Sequence, residues 1–311
     1  MSGASVAVVV LAGALAVDVL LGDPPNRWHP VAWLGRAIGA ARRTLAHGSP
    51  LRLLVAGAAL TIGIAVAAAL AGALVARASV ALGTAGLVVE AVALSLCLSI
   101  RGLWRAAREV GRALERGDLP AARAALAFHL VSRPTGALSA GEVAAATVES
   151  VAENLTDSIV APALLYLAFG LPGAALYRAV NTADAMLGYR EGVLEHFGKL
   201  AARADDVLNL VPARLAGLAI VVAAALAGGS PRGALRVMWR DHHRTASPNA
   251  GWTMAAMAGA LGVRVTKRGA YALGDGALPE PTDVARSLRV MAVAVVIALG
   301  MPILLLIING L

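Results

Sequence analysis

The sequence predicts an all-α, polytopic integral membrane protein with about four to six membrane segments, together with amphipathic and re-entrant helices. Of its 311 residues, 59% are hydrophobic and 15% are charged, and the mean hydropathy is +0.73. A water-soluble domain cannot hide that much apolar surface. The basic residues, nearly all arginine, lie between long uncharged runs, which is typical of cytoplasmic segments that bound membrane spans. This pattern excludes a disordered chain and an ordinary soluble domain.

Four apolar runs, of which only Leu53–Ala76 is free of charged residues, predict membrane helices, because at ~1.5 Å per residue each approaches or exceeds the ~30 Å of a bilayer core. The runs are Ser5–Leu21, Leu53–Ala76, the stretch between Arg77 and Arg101, and Leu288–Ile308. A short link through Ser79 is expected to join the second and third runs as a tight helical hairpin, so Glu90 must face protein or water. The first run lacks the positive n-region of a signal peptide and is expected to remain as an uncleaved helix.

Two further apolar segments are ambiguous. Ser158–Tyr177 contains two prolines, and Leu215–Gly229 is short. If both crossed the membrane, segment 178–214 would lie outside; if both were re-entrant or packed within the protein, it would lie inside. The positive-inside rule assigns the Arg-rich segments 22–52, 101–157 and 232–287 to the cytoplasm, but segment 178–214 is charge-balanced and cannot be placed in this way. We favour the second arrangement because of the chemistry of the polar clusters, described below.

The domain prediction follows from this topology. The chain is expected to form one membrane-embedded domain, 1–311, in the cell (inner) membrane. Segments 101–157 and 178–214 are predicted as cytoplasmic-side helical segments that carry polar clusters, and 232–287 as a cytoplasmic loop.

A polar-faced helix is predicted at the membrane surface after the third run. Arginines recur there at three- and four-residue spacing, at Arg101, Arg105, Arg108, Arg112 and Arg116. Residues 117–120 and 132–136 break the helical pattern, and Ser139 with Glu142 forms a capping box for the next helix. A nucleic-acid partner is excluded, because aromatic residues make up only 4% of the chain and no recognition motif is present. The lone Cys97 excludes a disulfide framework.

The first of four polar clusters is a proline-rich loop that contains Asp23 and His29. Prolines fix its shape, so these two side chains point in defined directions. The alternative is an interfacial turn anchored by Trp28 and Trp33.

The second and third clusters each contain Asn-x-x-Asp. The second comprises Glu149, Glu153, Asn154 and Asp157, and the third comprises Tyr177, Arg178, Asn181, Asp184, Tyr189 and Arg190. Residues three apart share a helical face, and hard oxygen ligands of this kind suit Mg²⁺. Asn and Asp also cap helices, which is the alternative.

The fourth cluster comprises Arg203, Asp205, Asp206, Asn209 and Arg214. It is a second possible metal or basic-group site, or else a helix N-terminus with a snorkelling Arg214. A further run, Arg240–Arg244 followed by Ser247 and Asn249, joins cationic groups to a turn whose amides could hold an anion. The sequence has no Walker-type glycine loop, and the His242–His243 pair lacks zinc-site spacing.

These stretches resemble the membrane-bound adenosylcobinamide-phosphate synthases of cobalamin biosynthesis. The resemblance rests on residues 18–30, 153–162, 172–189, 202–214 and 247–251, in the family's order and over nearly the whole chain. The His-Pro that follows Gly-Asp-Pro and the Asn-Thr-x-Asp-Ala-Met block at 181–186 are the most specific parts.

The resemblance implies a ligase that forms an amide between adenosylcobyric acid and aminopropanol phosphate, or aminopropanol, with consumption of ATP and with Mg²⁺. On this basis Asp23, His29 and Asp184 are expected to be catalytic, with Asp23 or His29 as proton acceptor. The expected Mg²⁺ ligands are Asp157, Asp184, Asp205 and Asp206. The expected substrate contacts are Asn154, Arg178, Asn181, Tyr189, Arg190, Asn209, Arg214, Ser247 and Asn249. ATP is cytoplasmic, so the active site is expected to face the cytoplasm.

Two other classes of membrane protein, a transporter or regulatory protein and a phosphate or prenyl transferase, are alternatives to the ligase. A transporter or regulatory membrane protein would use Asp18, Glu90 and helices broken at Pro162 and Pro172, but no inverted repeat is visible. A Mg²⁺-dependent prenyl or phosphate transferase would need denser aspartates. The expected partners are the corrinoid, the amino alcohol or its phosphate, the lipid bilayer and, as a further possibility, another copy of the chain or other corrinoid enzymes.

Overall fold

The computed structural model describes residues 3–309. The helices are α1 (Gly3–Leu20), α2 (Pro30–Leu45), α3 (Pro50–Ala81), α4 (Thr84–Ser95), α5 (Ile100–Glu115), α6 (Leu119–His129), α7 (Ala140–Leu155), α8 (Ala161–Leu187), α9 (Leu194–Phe197), α10 (Lys199–Leu208), α11 (Leu210–Leu226), α12 (Pro231–Asp241), α13 (Ala250–Leu261) and α14 (Pro281–Asn309). A π-helical turn, Thr156–Val160, joins α7 to α8, and a 3₁₀ turn, His242–Arg244, follows α12. Strands β1 (Val265–Lys267) and β2 (Tyr271–Leu273) form an antiparallel hairpin.

The helical membrane architecture is confirmed. Among residues 3–309, five helical segments are long and apolar enough to cross a membrane, and a sixth is counted if a bent helix pair is one span. The five are Gly3–Leu20, Pro50–Ala81, Thr84–Glu115, Ala140–Leu187 and Pro281–Ile308, and the bent pair is α10 with α11. The hairpin of β1 and β2 is the exception to an all-α fold among residues 3–309.

The chain divides into two compact units. Of the described residues, unit one holds 3–100, Ala161–Asn209 and 303–309, and unit two holds Arg101–Val160 and Leu210–Pro302. The single-domain expectation stays a prediction.

Unit one packs α3 against α8, α9 and α10 through small residues. A Cβ atom at Gly57 would overlap with the backbone of Phe197, so glycine is needed where α3 passes α9. Phe197 belongs to a buried apolar cluster with Ile38, Leu53, Ala183, Leu187, Leu194 and Ala201. Close packing of this kind fixes the positions of α8 and α10.

The ambiguous segment Ser158–Tyr177 forms a broken helix. Helix α8 is interrupted at Gly170, whose φ of 66° and ψ of −165° lie outside the helical region. Glycine adopts a positive φ without the steric cost of a side chain, and Pro172 follows at the start of the next helical turn, where it is tolerated. The π-helical turn is a second irregularity, just before α8.

The hairpin of α3 and α4 is confirmed, but its link through Ser79 is wrong. Ser79 lies inside α3, and the chain turns at Leu82 and Gly83, where Gly83 has a φ of 59°. Glycine adopts this positive φ without the steric cost that the side chain of serine would bring. Glu90 faces protein, since the hydroxyl of Tyr166 donates to its Oε1 at 3.1 Å.

Segment 232–287, predicted as a cytoplasmic loop, is folded, and its position on the cytoplasmic side stays a prediction. The segment contains α12, α13, the hairpin of β1 and β2, and the start of α14. Helix α13 is buried at nearly every position, so it lacks the apolar-to-polar periodicity that identifies a helix, and at 12 residues it is too short for a span.

The amphipathic helix and its boundaries are confirmed in unit two. Helix α5 buries one face and ends before Gly117, which has a φ of 72°. Asp118 then caps α6. The Ser139 side chain accepts from the backbone N–H of Glu142, and the Glu142 carboxylate accepts from the N–H of Ser139, as the capping box requires.

Candidate functional site

A buried chain of polar side chains joins α8 to α10 in unit one. The Tyr177 hydroxyl donates to Asn209 Oδ1 at 2.9 Å, and Asn209 Nδ2 donates to Asp205 Oδ2 at 2.9 Å. Asn181 Nδ2 donates to the other carboxylate oxygen, Asp205 Oδ1, at 3.1 Å. Tyr177, Asn209 and Asp205 are 0%, 1% and 9% exposed. Buried polar groups persist when they are hydrogen-bonded to one another, so this network fixes the register of the two helices.

Helical spacing explains why these residues meet. Positions 177, 181, 184 and 188 are separated by four, three and four residues and therefore lie on one face of α8 and the turn that follows it. Asp205 and Asn209 are likewise four apart at the end of α10. The structure thus brings together Asn181, Asp205 and Asn209 of the predicted site residues, and it adds Tyr177.

Asp184 lies one turn beyond this network, against Gly188. The Gly188 N–H donates to the Asp184 backbone oxygen at 2.7 Å, and a Cβ atom at position 188 would overlap with Asp184 Oδ1. The carboxylate therefore occupies the space that a side chain at 188 would fill, and a Cβ atom there would also lie 2.8 Å from the Asp184 backbone oxygen, so a larger residue at 188 would displace Asp184.

Gly188 also lines a polar cavity of about 120 Å³ at the start of α10. The cavity is lined by Gly188, Tyr189, Arg190, Leu194, Glu195, Gly198, Lys199, Ala202, Arg203 and Asp206. Lys199 Nζ lies 2.5 Å from Glu195 Oε1, and Arg203 Nη1 lies 3.8 Å from Asp206 Oδ2. The hydrogen bond from Lys199 lowers the pKa of the Glu195 carboxyl. Cationic and acidic groups thus share one small cavity.

This cavity gathers three predicted residues and adds others. Tyr189, Arg190 and Asp206 were expected to bind substrate or metal, whereas Glu195 and Lys199 were not identified from the sequence. The sequence signal for Glu195 and Lys199 was the four-residue spacing of an acidic and a basic residue. That spacing is common in surface pairs and does not by itself indicate a site.

Arg178 carries a buried donor on the neighbouring face of α8. Its Nε is buried and has no hydrogen-bond partner among residues 3–309. A buried donor of this kind is costly unless another group accepts from it, so Arg178 is suited to contact an anionic or amide oxygen.

His29 and Asp23 form a pair at the start of α2. The backbone N–H of Val31 donates to His29 Nδ1 at 3.2 Å, so His29 caps α2 with that nitrogen. The neutral ring therefore carries its proton on Nε2, which lies 3.3 Å from Asp23 Oδ1. Ser99 Oγ donates to Asp23 Oδ2 at 3.3 Å.

The two side chains differ in access. His29 is only 8% exposed and both its ring nitrogens are engaged, whereas the Asp23 side chain is 34% exposed. Of the two candidate proton acceptors, Asp23 has the access that a substrate needs, and His29 orients it.

Asp18 has a structural partner next to this loop. Its Oδ2 accepts from the backbone N–H of Ile100, the first residue of α5, at 2.8 Å. A carboxylate at a helix N-terminus is stabilising. Asp18, like Glu90, therefore has a role in packing that needs no transport path.

Unit two places Arg214, Ser247 and Asn249 together at the start of α13. Arg214 Nη1 donates to Asn249 Oδ1 at 3.1 Å, and the Arg214 guanidinium lies 4.9 Å from the centre of the Trp252 ring. Ser247 Oγ accepts from the backbone N–H groups of Asn249 and Ala250 at 3.2 and 3.4 Å. The sequence identified all of these except Trp252, whose Nε1 is buried without a hydrogen-bond partner in the described chain.

Asn154 and Asp157 lie at the junction of α7 and the π-helical turn, in unit two. Asn154 Nδ2 donates to the Ser150 backbone oxygen at 3.0 Å and Asn154 Oδ1 accepts from Ser158 Oγ at 3.0 Å. The change from α to π geometry begins after Leu155. The spacing of 154 and 157 is thus not that of one regular helix face.

The cationic run of α12 is neutralised by carboxylates. Asp241, 0% exposed, accepts from Arg240 Nε and Nη2 at 2.7 Å each and from the Gly274 N–H at 2.9 Å. Arg244 Nε lies 3.2 Å from Asp241 Oδ1, and Arg240 Nη1 lies 2.8 Å from Asp275 Oδ2. Burial raises the pKa of the Asp241 carboxyl, but these hydrogen bonds outweigh it and the pKa lies below its ordinary value. The run contributes structure rather than free positive charge.

The predicted carboxylates do not form an all-protein metal cage within residues 3–309, where no three His, Cys, Asp or Glu side chains converge. Asp157 belongs to unit two, and Asp184, Asp205 and Asp206 belong to unit one. Mg²⁺ in phosphate sites is held by one or two carboxylates, with water and substrate phosphates as the other ligands. Asp184 and Asp206 suit that mode, whereas both oxygens of Asp205 already accept hydrogen bonds from amides.

Comparison with known proteins gives a consistent result. Residues 11–297 match the CobD/Cbib protein family. The chain is 42% identical over 267 residues to the cobalamin biosynthesis protein CobD of Dehalococcoides mccartyi, with 86% of each chain covered. It is 43% identical over 268 residues to the probable cobalamin biosynthesis protein CobD of Methanothermobacter thermautotrophicus, covering 86% of this chain and 87% of that one. It is 37% identical over 306 residues to the CobD protein of Citrobacter koseri, covering 94% and 96%. No solved structure matches the chain.

Proposed function

Because the chain belongs to the CobD/Cbib protein family, we propose that it is a ligase of cobalamin biosynthesis. It joins the carboxylate of adenosylcobyric acid to the amine of aminopropanol phosphate, or of aminopropanol, with consumption of ATP. The product with the phosphorylated amine is adenosylcobinamide phosphate. The observation that carries the proposal is the network of Tyr177, Asn181, Asp205 and Asn209 beside the polar cavity at the start of α10.

Amide formation from a carboxylate requires activation, since carboxylate oxygen is a poor leaving group. In the proposed sequence a substrate carboxylate oxygen attacks the γ-phosphorus of ATP and ADP leaves. The amine nitrogen then attacks the carbonyl carbon of the acyl phosphate, loses a proton, and inorganic phosphate leaves. Phosphoryl transfer depends mainly on positioning and on cations placed over the phosphate oxygens.

The cavity in unit one supplies such cations. Arg190, Lys199 and Arg203 line it, and Arg178 adds a buried donor. Asp184 and Asp206 are the carboxylates that would hold Mg²⁺, which supplies charge neutralisation at the phosphates when bound. Asp205 keeps Asn181 and Asn209 oriented through its two carboxylate oxygens.

Asp23 is the proposed proton acceptor for the attacking amine. His29 Nε2–H and Ser99 Oγ–H hold its two oxygens, and its partial exposure leaves room for a substrate ammonium. A base must reach within hydrogen-bond distance of the proton that it removes. His29 is a positioning residue in this account.

The start of α13 is the proposed contact for the corrinoid. Arg214, Asn249 and Trp252 present donors and an aromatic face, and His242 lies 4.1 Å from Trp252 between ring centres. Planar macrocycles and their carboxamides suit stacking and amide hydrogen bonds. The active site is proposed to face the cytoplasm, where ATP is present.

A product assay tests the function. Purified protein in proteoliposomes is given adenosylcobyric acid, ATP, Mg²⁺ and either aminopropanol or its phosphate, and products are read by mass spectrometry. We expect an ATP-dependent amide that falls about 10²-fold or more in Asp184→Asn, the scale for losing one electrostatic group at the reacting centre. Glu90→Gln is the matched control: Gln retains an acceptor for Tyr166, so activity should persist.

The variants Asp184→Asn and Glu90→Gln also distinguish the ligase proposal from the transporter alternative. A transporter would depend on the membrane carboxylate Glu90 and not on Asp184. Folded protein that forms no amide with either amine would contradict the proposal.

A further inference from the structure

Helix α5 in unit two has two sharply different faces. Its buried face consists of Leu103, Ala106, Ala107, Val110, Gly111, Ala113 and Leu114. Its exposed face carries Arg105, Arg108 and Arg112, and Arg116 follows directly after the helix. At ~1.5 Å per residue these four arginines span about 16 Å along one side. We call this set the arginine face.

Within the described residues, the arginine face carries more positive charge than the carboxylates of Glu109 and Glu115 beside it can balance. None of the four guanidinium groups forms a hydrogen bond or an ion pair with any residue among 3–309. They line a groove of about 360 Å³ with Trp104 and Glu109. Glu109 is the one carboxylate there, and its Oε2 lies 3.3 Å from His129 Nε2. By contrast, Arg240 of α12 pairs with Asp241 and Asp275, and Arg244 of the 3₁₀ turn pairs with Asp241. The face is therefore built to meet an external anion.

We propose that the arginine face binds the phosphate groups of anionic phospholipids at the membrane surface. Charge complementarity favours this occupant, since four adjacent guanidiniums match several phosphates along a surface. The chain already contains spans long enough to hold it in a bilayer, and four residues separate the end of α4 from the start of α5. Trp104 suits the interfacial region. The arginines cannot enter the hydrocarbon, so they lie at the headgroup level.

Lipid binding is measured by native mass spectrometry of the full chain in neutral detergent. Phosphatidylglycerol and phosphatidylcholine are titrated separately. Basic residues near an anionic surface each contribute roughly fivefold to binding at low salt. We expect the wild type to prefer phosphatidylglycerol. A variant with four substitutions should bind phosphatidylglycerol more than about tenfold more weakly; they are Arg105→Gln, Arg108→Gln, Arg112→Gln and Arg116→Gln. The preference should also fall as salt is raised.

A matched control removes the same charge elsewhere. Arg42, Arg43, Arg232 and Arg236 are exposed, and their joint replacement by Gln should leave the preference intact. Replacement of the arginine face by four lysines keeps the charge and should retain most of the preference, which guards against a folding defect in the Gln variant.

Three results would overturn the proposal. The first is that the wild type binds phosphatidylcholine as tightly as phosphatidylglycerol. The second is that the folded Gln variant binds phosphatidylglycerol as tightly as the wild type. The third is that the control variant loses as much phosphatidylglycerol binding as the Gln variant. Displacement of phosphatidylglycerol by an equal concentration of inorganic phosphate would also overturn it, because the site would then be one for free phosphate. None of these results depends on the proposed ligase activity.

Discussion

The carboxylate of Asp184 lies where a side chain on residue 188 would have to go, since a Cβ atom at Gly188 would overlap with Asp184 Oδ1. Gly188 lines the cavity at the start of α10, so this contact holds Asp184 beside it. The absence of a side chain at residue 188 thus leaves room for one candidate catalytic carboxylate beside the turn after α8.

Gly188→Ala is therefore expected to displace Asp184 and to lower the rate of amide formation by at least tenfold. Misplacing a reacting group by about 1 Å can cost on the order of 10²-fold. The measurement is the product assay with the purified variant. Gly63→Ala is the control, because nothing lies within 4 Å of a Cβ atom there, and its activity should match the wild type. Equal activity of both variants would contradict the role given to Gly188.

The network between α8 and α10 predicts a stability effect at Tyr177. Tyr177→Phe removes the hydroxyl that donates to Asn209 Oδ1 and leaves a buried acceptor unpaired, which costs about 1–3 kcal/mol. Thermal unfolding of the detergent-solubilised protein should show a lower Tm. Tyr189 is 38% exposed, so Tyr189→Phe should shift Tm much less. A Tyr177→Phe variant as stable as the wild type would show that the network does not hold these helices together.

In the proposed mechanism His29 caps α2 and Asp23 is the proton acceptor, and substitutions distinguish these two roles. His29→Asn keeps a side-chain acceptor for the start of α2, since Asn is a good N-cap residue, and should retain at least a tenth of the activity. Asp23→Asn should lose about 10²-fold or more, the usual contribution of a general base. The kcat of both variants in the product assay is the comparison. A larger loss in His29→Asn than in Asp23→Asn would make His29 the proton acceptor instead.

The lowered pKa of the Asp241 carboxyl predicts that the stability of the folded protein depends on pH. Its pKa is lowered in the folded protein, so its contribution is present above the unfolded value of about 3.9 and is lost as the pH falls through the lower folded pKa. The Tm of wild type and of Asp241→Asn should therefore differ most near neutral pH and converge as the pH falls below about 4. A gap that stays constant from pH 7 down to pH 3 would contradict this.

Much of the fold could be predicted from the sequence because membrane spans depend on local composition. The uncharged run Leu53–Ala76 lies within α3, and Leu288–Ile308 lies within α14. The capping box at Ser139 also depends only on nearby residues. Helix α13 could not be found in this way, because its burial comes from neighbours distant in sequence.

The candidate site was predictable in its residue types but not in its pairings. Asn181 and Asp205 were each identified, yet their hydrogen bond across 24 residues depends on how α8 meets α10. The capping role of His29 had a local signal that was missed: Pro30 is favoured at the first position of a helix, which makes residue 29 its N-cap. The contribution of Trp252 to the Arg214 site depends on tertiary packing.

The most direct test of the proposed ligase follows one oxygen atom. Adenosylcobyric acid labelled with ¹⁸O in its reacting carboxylate is incubated with ATP, Mg²⁺, the amine and the purified protein, and the released phosphate is analysed by mass spectrometry. Activation through an acyl phosphate predicts one ¹⁸O atom in inorganic phosphate for each amide formed. Failure to form the amide, or amide formed with no label in the phosphate, would contradict the account.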